Sequence, residues 1–213
     1  MNNKDIYIVG AGTYGEAMFE LAEILGYKVK AFFDEDEKKL HESIMGVEIT
    51  DKFSNLSCQE IKGKQFIVAI GNNEARFNIM NEINSLGGNT PSLIHPTAVI
   101  SPSAEIGIGV YIQANVYIWT KVKVNDFSII SPNSVIAHHS TIGKACLVST
   151  LTGIGASIKV EDKVFIGMGS TIVTGLAYIR ENSIIGAGAV VLKNTERNSV
   201  YAGIPAKKIR SIK

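Results

Sequence analysis

The stretch "SIISPNSVIAHHSTI", residues 128–142, carries Ile130, Ile136 and Ile142 six residues apart, with Ser128, Ser134 and Ser140 two places before each. The same beat runs outward in both directions. Ile or Val stands at every sixth position from Ile94 to Ile172, and the slot two places earlier is small or β-branched throughout (Ala98, Ala104, Val110, Val116 and onward to Ser170). One extra residue near Tyr178 shifts the phase, and the beat resumes at Ile179, Ile185 and Val191. A six-residue period is too short for a helix pair and matches the repeats of a parallel β-helix. Each hexad is expected to make one short strand and one corner. The aliphatic residue points into a stacked core, and the small residue fits the tight space beside the bend. Three hexads close a triangular coil, and about five coils stack into a prism.

Against this pattern His138 and His139 stand out. The chain has four histidines, and two of them lie side by side here. Counted from the inward Ile136, both fall at a corner, where side chains project outward. A corner imidazole has no structural task in the prism. Solvated polar residues and a functional pair are therefore both open readings of these two.

Residues 1 to about 90 follow a different rhythm. "DIYIVGAG", "KVKAFFDED" and "KQFIVAIGNNEAR" read as strands, with helices over "TYGEAMFELAEILGY" and "EARFNIMNEINSLG". The first helix has Ala17, Met18, Leu21, Ile24 and Leu25 at helical spacing, stopped by Gly26. Alternation of this kind argues for a small parallel sheet of roughly three strands, a Rossmann-like half-domain over residues 1–90 preceding the β-helix over 91–213. "GAGTYG" satisfies G-x-G-x-x-G from Gly10 to Gly15, and Asp34 follows 24 positions after Gly10. Such a loop lets backbone amides and a helix N-terminus approach a pyrophosphate. A domain this short suits a mononucleotide part better than a whole dinucleotide. Asn72 and Asn73 end the third strand and either line the same crevice or cap the following helix.

The net charge of +1 gives no electrostatic footprint for nucleic acid. Cys58 and Cys146 make neither a disulfide framework nor a metal set, and Cys146 occupies a small slot of the repeat. No signal peptide or membrane span is evident, so a cytoplasmic protein without a metal is expected.

The repeat, followed by "IIGAGAVVLKN" and "SVYAGIPAKKI" and preceded by "IVGAGTYGEAM", "FFDED" and "VAIGNNEAR", resembles the nucleotide-sugar acetyltransferases with a left-handed β-helix. The bacillosamine- and perosamine-type 4-aminosugar N-acetyltransferases are examples, and the sialic acid O-acetyltransferases are a related branch. The resemblance implies a homotrimer that takes acetyl-CoA between neighbouring prisms and acts in surface glycan synthesis. It implies His138 as general base, Ala156 as backbone donor to the developing oxyanion, and Met168, Gly186 and Ala187 along the pantetheine arm. The nucleotide sugar would be held by Gly10, Gly12, Tyr14 and Gly15 around the diphosphate, by Asp34 and Glu35 near base and ribose, and by Asn73 and Ser131. Three positions depart from the family pattern. His139 stands in place of the carboxylate that orients the base and is expected to serve with His138 as an unusual orienter, Leu147 stands in place of a second histidine, and Ser131 in place of an asparagine. The resemblance thus implies N-acetylation of a nucleotide-linked amino sugar, with a 4-amino-4,6-dideoxyhexose expected. Sugar O-acetylation and a non-catalytic nucleotide-sensing trimer are the alternatives.

Overall fold

Stacked two-residue strands make the repeat half of the chain in the computed structural model, which describes residues 4–212. One compact unit ends at Leu93 and a second begins at Ile94.

The second unit is a left-handed parallel β-helix. Its strands recur every six residues, from Val99–Ile100 and Glu105–Ile106 through Val135–Ile136 and Thr141–Ile142 to Thr171–Ile172. They sort into three parallel sheets, one per prism face. Each strand pairs with the strand one coil above, as Ile118 with Ile136 and Ile136 with Ile154. The second residue of each strand points inward, and Ile118, Ile136, Ile142 and Ile166 have no accessible surface. Full burial of such a side chain contributes about 2 kcal/mol, repeated at every level of the stack.

The corners need a backbone conformation that L-residues avoid. From Ile106 to Ile185 the third residue after the core aliphatic has a positive φ, at Asn115, Lys121, Phe127, Asn133, His139 and Ala145 among others. Each such residue costs on the order of 1 kcal/mol. Its amide answers that cost by tying the corner to the coil below: Asn133 N–H donates to Ala114 O, His139 N–H to Thr120 O and Ala145 N–H to Asp126 O, all within 3.0 Å.

The slot two places before the core residue proves to be more than a small space. Val116, Val122, Ile158 and Val164 fill it as members of the core, with 1% exposure or less. Where serine fills it, the hydroxyl bridges two coils. Ser128 Oγ donates to Gly143 O (2.7 Å) and accepts from Cys146 N (2.9 Å), and Ser140 Oγ does the same for Gly155 O and Ile158 N. Burial and pairing of backbone groups, rather than size alone, select this position. The phase shift is also explained. Between Thr171–Ile172 and Tyr178–Ile179 the chain takes one extra residue, with Gly175 at φ 105° and Leu176 turned into the core.

The first unit contains β1 (Asp5–Val9), α1 (Thr13–Ile24), β2 (Lys28–Phe33), β3 (Ser43–Ile44), β4 (Val47–Asp51), α2 (Cys58–Ile61), β5 (Phe66–Val68) and α3 (Asn73–Ser85). Its sheet runs β3-β4-β2-β1-β5, parallel except for the β3–β4 hairpin. The expected three strands become five. β3 and β4 are missed because they are short and polar, and only Ile49 of β4 is buried. Helix α1 turns Gly15, Met18, Phe19 and Ala22 inward, and Phe19 stacks on Phe32 at 6.2 Å. That stripe differs from the expected one: Ala17 and Ile24 face outward.

Replacing Ser128 by Ala removes both the donor to Gly143 O and the hydroxyl acceptor of Cys146 N. The expected cost is about 2 kcal/mol, read as a lower urea midpoint with unchanged slope.

Candidate functional site

Pairing along the prism fixes what surrounds each corner residue. Because Ile118, Ile136, Ile154 and Ile172 lie in one register, the residues two places on, Thr120, His138, Ala156 and Thr174, stack along one edge. His138 and His139 are both exposed there. Their Nδ1 atoms are 3.0 Å apart, their ring centroids 5.2 Å apart, and their planes perpendicular at 89°. Trp119 places its ring 6.0 Å from that of His138, and Tyr117 stands 5.4 Å from Trp119. Ala156, expected as a backbone donor, is beside His138 on this edge. Its N–H donates to Thr174 Oγ1 at 3.1 Å, a partner the hexad count does not reveal.

The remaining prism residues lie elsewhere. Met168, Gly186 and Ala187 share the next edge, where Gly188 N–H donates to Met168 O at 2.8 Å. Ser131 lies on that second edge too, at the end of strand Ile129–Ile130. The two edges border one face, whose outward positions are Val99, Tyr117, Val135, Gly153, Thr171 and Val190. No charge stands among these six. The next face instead presents Glu105, Lys123 and Lys159, with Glu105 and Lys123 paired at 2.9 Å.

In the first unit the glycine loop joins β1 to α1. The three glycines have different reasons. Gly10 has φ 105°, and a Cβ there would sit 2.8 Å from Ala69 O. At Gly15 a Cβ would overlap the carbonyl oxygen of Gly10. Both are required by the fold. Gly12 caps α1 in an extended conformation, and a Cβ there would meet nothing within 4 Å. Open space over a bare backbone at a helix N-terminus suits an approaching anion. Tyr14 is half-buried in the first turn of α1.

Asp34 and Glu35 are already engaged within this unit. Asp34 Oδ2 accepts from Ala11 N of the glycine loop (2.8 Å) and from Lys39 Nζ (3.1 Å), while Oδ1 accepts from Asp36 N. Burial pushes this carboxyl up, but the Asp36 and Ala11 amides and the Lys39 ammonium outweigh it and hold the pKa below the ordinary value. Glu35 accepts from Ser54 N and Oγ at 3.0 and 2.8 Å. Asn72 is the N-cap of α3, accepting from Ala75 N, and Asn73 Oδ1 accepts from Arg76 Nη2 at 2.8 Å. Arg76 is fully buried and also donates to Ile70 O, so it shapes the loop after β5. Sequence reasoning passed over Lys39, Ser54 and Arg76. The only signal for Arg76 was its place three residues after Asn73.

Among the described residues no cluster of three His, Cys, Asp or Glu is placed to hold a metal, and no helix is long and apolar enough to cross a membrane.

A parallel β-helix preceded by a glycine-looped sheet is an architecture this chain shares with solved acetyltransferases of the sugar-modifying kind. Residues 5–83 match the PglD N-terminal domain, and residues 88–211, more than half of the chain, match the GMPPB C-terminal domain. The chain belongs to the GMPPB C-terminal domain family through its repeat half and, taken with its N-terminal part, to the nucleotide-sugar acetyltransferases. It is 28% identical over 188 residues to GDP-perosamine N-acetyltransferase of Escherichia coli O157:H7, covering 85% of this chain and 82% of that one. PerB from Caulobacter crescentus, solved in complex with CoA and GDP-perosamine, superposes with a TM-score of 0.89 at 28% identity over 97% of both chains. A putative acetyltransferase of Schizosaccharomyces pombe is 48% identical over 58 residues, 27% of this chain. The chain spans only 28% of that protein's length and of a second putative acetyltransferase from Saccharomyces cerevisiae.

Two outcomes follow from the loop. Gly15→Ala is expected to cost about 3 kcal/mol, whereas Gly12→Ala stays within about 0.5 kcal/mol, both read from thermal unfolding. Because the Asp34 pKa is lowered on folding, its stabilisation is present above the ordinary carboxylate pKa and is lost as pH falls through the lowered value. Asp34→Asn is therefore expected to be less stable than wild type at pH 7 and to converge with it in acid, as measured by denaturation at stepped pH.

Proposed function

We propose that this protein transfers an acetyl group from acetyl-CoA to the amino group of a nucleotide-linked sugar, a 4-amino-4,6-dideoxyhexose, with His138 as the general base. The observation that carries this reading is the exposed His138 ring on an edge shared with Ala156, in a chain of the nucleotide-sugar acetyltransferase family.

In the proposed reaction the sugar amine forms a C–N bond with the thioester carbonyl carbon. Its N–H proton passes to Nε2 of His138. The carbonyl oxygen carries the developing negative charge and replaces Thr174 Oγ1 as acceptor of the Ala156 N–H. The C–S bond then breaks, and the imidazolium returns the proton to the departing sulfur. The products are the acetamido sugar and free CoA. The glycine loop holds the diphosphate, with the open backbone at Gly12 against it. Asp34 acts there mainly by fixing Ala11, since its oxygens already receive Ala11, Asp36 and Lys39. Met168, Gly186 and Ala187 hold the pantetheine arm on the second edge.

We assign a homotrimer on the same footing. The residues given to the base and to the pantetheine arm lie on different edges of one prism, and an uncharged face with Val99 60% exposed lies between them. A neighbouring copy packed on that face would bring one prism's first edge beside another's second.

The test is thiol release from acetyl-CoA with UDP-, dTDP- and GDP-linked 4-amino-4,6-dideoxyhexoses. One sugar is expected to support turnover, and His138→Ala to lower kcat about 10³-fold with its thermal stability retained. Equal rates in the variant would remove His138 as base. Turnover only with hydroxyl acceptors would replace N- by O-acetylation. Gly12→Ala is expected to weaken nucleotide-sugar binding about tenfold (~1.4 kcal/mol) by calorimetry while acetyl-CoA binding is unchanged.

A further inference from the structure

His139 has no structural reason to be histidine. It occupies the left-handed corner slot at φ 62°, and the same slot elsewhere holds Asn133, Ala145, Leu151 and Ser157 at φ 50–60°. Its backbone duty, the N–H bond to Thr120 O, is indifferent to the side chain. The side chain instead meets His138, Nδ1 to Nδ1, at 3.0 Å.

Two ring nitrogens at that distance share one proton, because one must donate and the other accept. On the reading of His138 as base, this contact has only one productive arrangement. Nδ1 of His138 is turned to His139, so a proton from substrate must arrive at Nε2. Nε2 then needs a free lone pair, and the proton of the neutral ring sits on Nδ1. The partner that accepts it is Nδ1 of His139, whose own proton is on Nε2. The opposite arrangement, with His139 donating, would put the proton of His138 on Nε2 and leave it no lone pair there.

We propose that His139 is a positioning residue: its Nδ1 accepts the Nδ1–H of His138 and so selects the tautomer that can act as base, without supplying a negative charge. A carboxylate at this position would do both. It would orient the ring and also favour the imidazolium. A neutral imidazole only orients. It stops doing so when it is itself protonated, because the acceptor lone pair is then gone. The residues stacked on the pair from the coil below are Trp119, Thr120 and Lys121, and from the coil above Ala156 and Ser157. Lys121 is the one ionisable side chain among them, and none of the five supplies a carboxylate. The orienting contact of the pair is therefore imidazole to imidazole, with no carboxylate supplied by these neighbours.

The experiment combines a tautomer readout with kinetics on the full-length protein. Long-range ¹H–¹⁵N correlation spectra at neutral pH report which nitrogen of His138 carries the proton. Wild type is expected to show Nδ1–H and an unprotonated Nε2. His139→Leu, a residue the slot already holds at Leu151, is expected to move the proton to Nε2 and to lower kcat at least about 10-fold with KM unchanged. His139→Asp is expected to keep the Nδ1–H tautomer and to shift the acid limb of the kcat–pH profile up by about one unit. His139→Asn, with an amide oxygen to accept, is expected to keep both tautomer and acid limb near wild type. His138 protonated on Nε2 in the wild type, or a tautomer unchanged in His139→Leu, would overturn the proposal. The spectra do not depend on turnover. If the tautomer behaves as expected and no acceptor supports transfer, the pairing stands and the acetyltransferase reading falls.

Discussion

The coil-to-coil backbone ladder is the constraint from which the rest of the structure follows. Val135 N–H donates to Thr152 O and Ala137 N–H to Ile154 O, and the same step recurs up the prism. With that ladder in place each residue below the extra corner residue stands over the one 18 positions away, as the bonds donated by Ile108 N–H to Asp126 Oδ1 and by Thr152 N–H to Ser134 Oγ also record. The core forms because the ladder aligns aliphatics into columns. The edges acquire composition for the same reason, since a corner residue's neighbours are set by arithmetic. His138 lies between Thr120 and Ala156 because no other residues are available at that spacing.

This arithmetic is why so much of the β-helix was legible in the sequence. A fixed period in Ile and Val names both the strands and the inward side chains, and the resemblance supplied the hand. What could not be read was the use made of individual slots. Ser128, Ser134 and Ser140 look like small residues in a tight place, whereas each bridges two coils through its hydroxyl. The contact between His138 and His139 depends on a left-handed turn and two ring rotations, neither of which has a sequence signature. The period also hides which edge a residue joins. Ser131 is only seven positions from His138, yet a strand of the prism face separates them.

The first unit was less transparent, for a different reason. Its elements are held by contacts distant in sequence, such as Ala11 N to Asp34 Oδ2. The glycine fingerprint was plain, but the division of labour within it was not. Gly10 and Gly15 serve the fold by letting backbone approach backbone, and only Gly12 faces open space. Asp34 and Glu35, expected as ligand contacts, also brace the glycine loop and the turn at Ser54. Short polar strands such as β3 escaped notice because they bury almost nothing.

The extra residue between Ile172 and Tyr178 bears on how such a chain can vary. Above it Lys159 pairs with Tyr178 and Ile172 with Val191, one position further on than the pairings below, yet the strands remain parallel and the core remains filled. The lengthening is absorbed entirely at a corner, where Gly175 and Leu176 take it up. A prism of this kind separates two kinds of inheritance. Its faces keep strict count, while its edges accept residues without disturbing the count. The edges are also where the proposed base and cofactor contacts lie, so new acceptor or acyl preferences can arise by altering corner length while the stack that supports them stays intact.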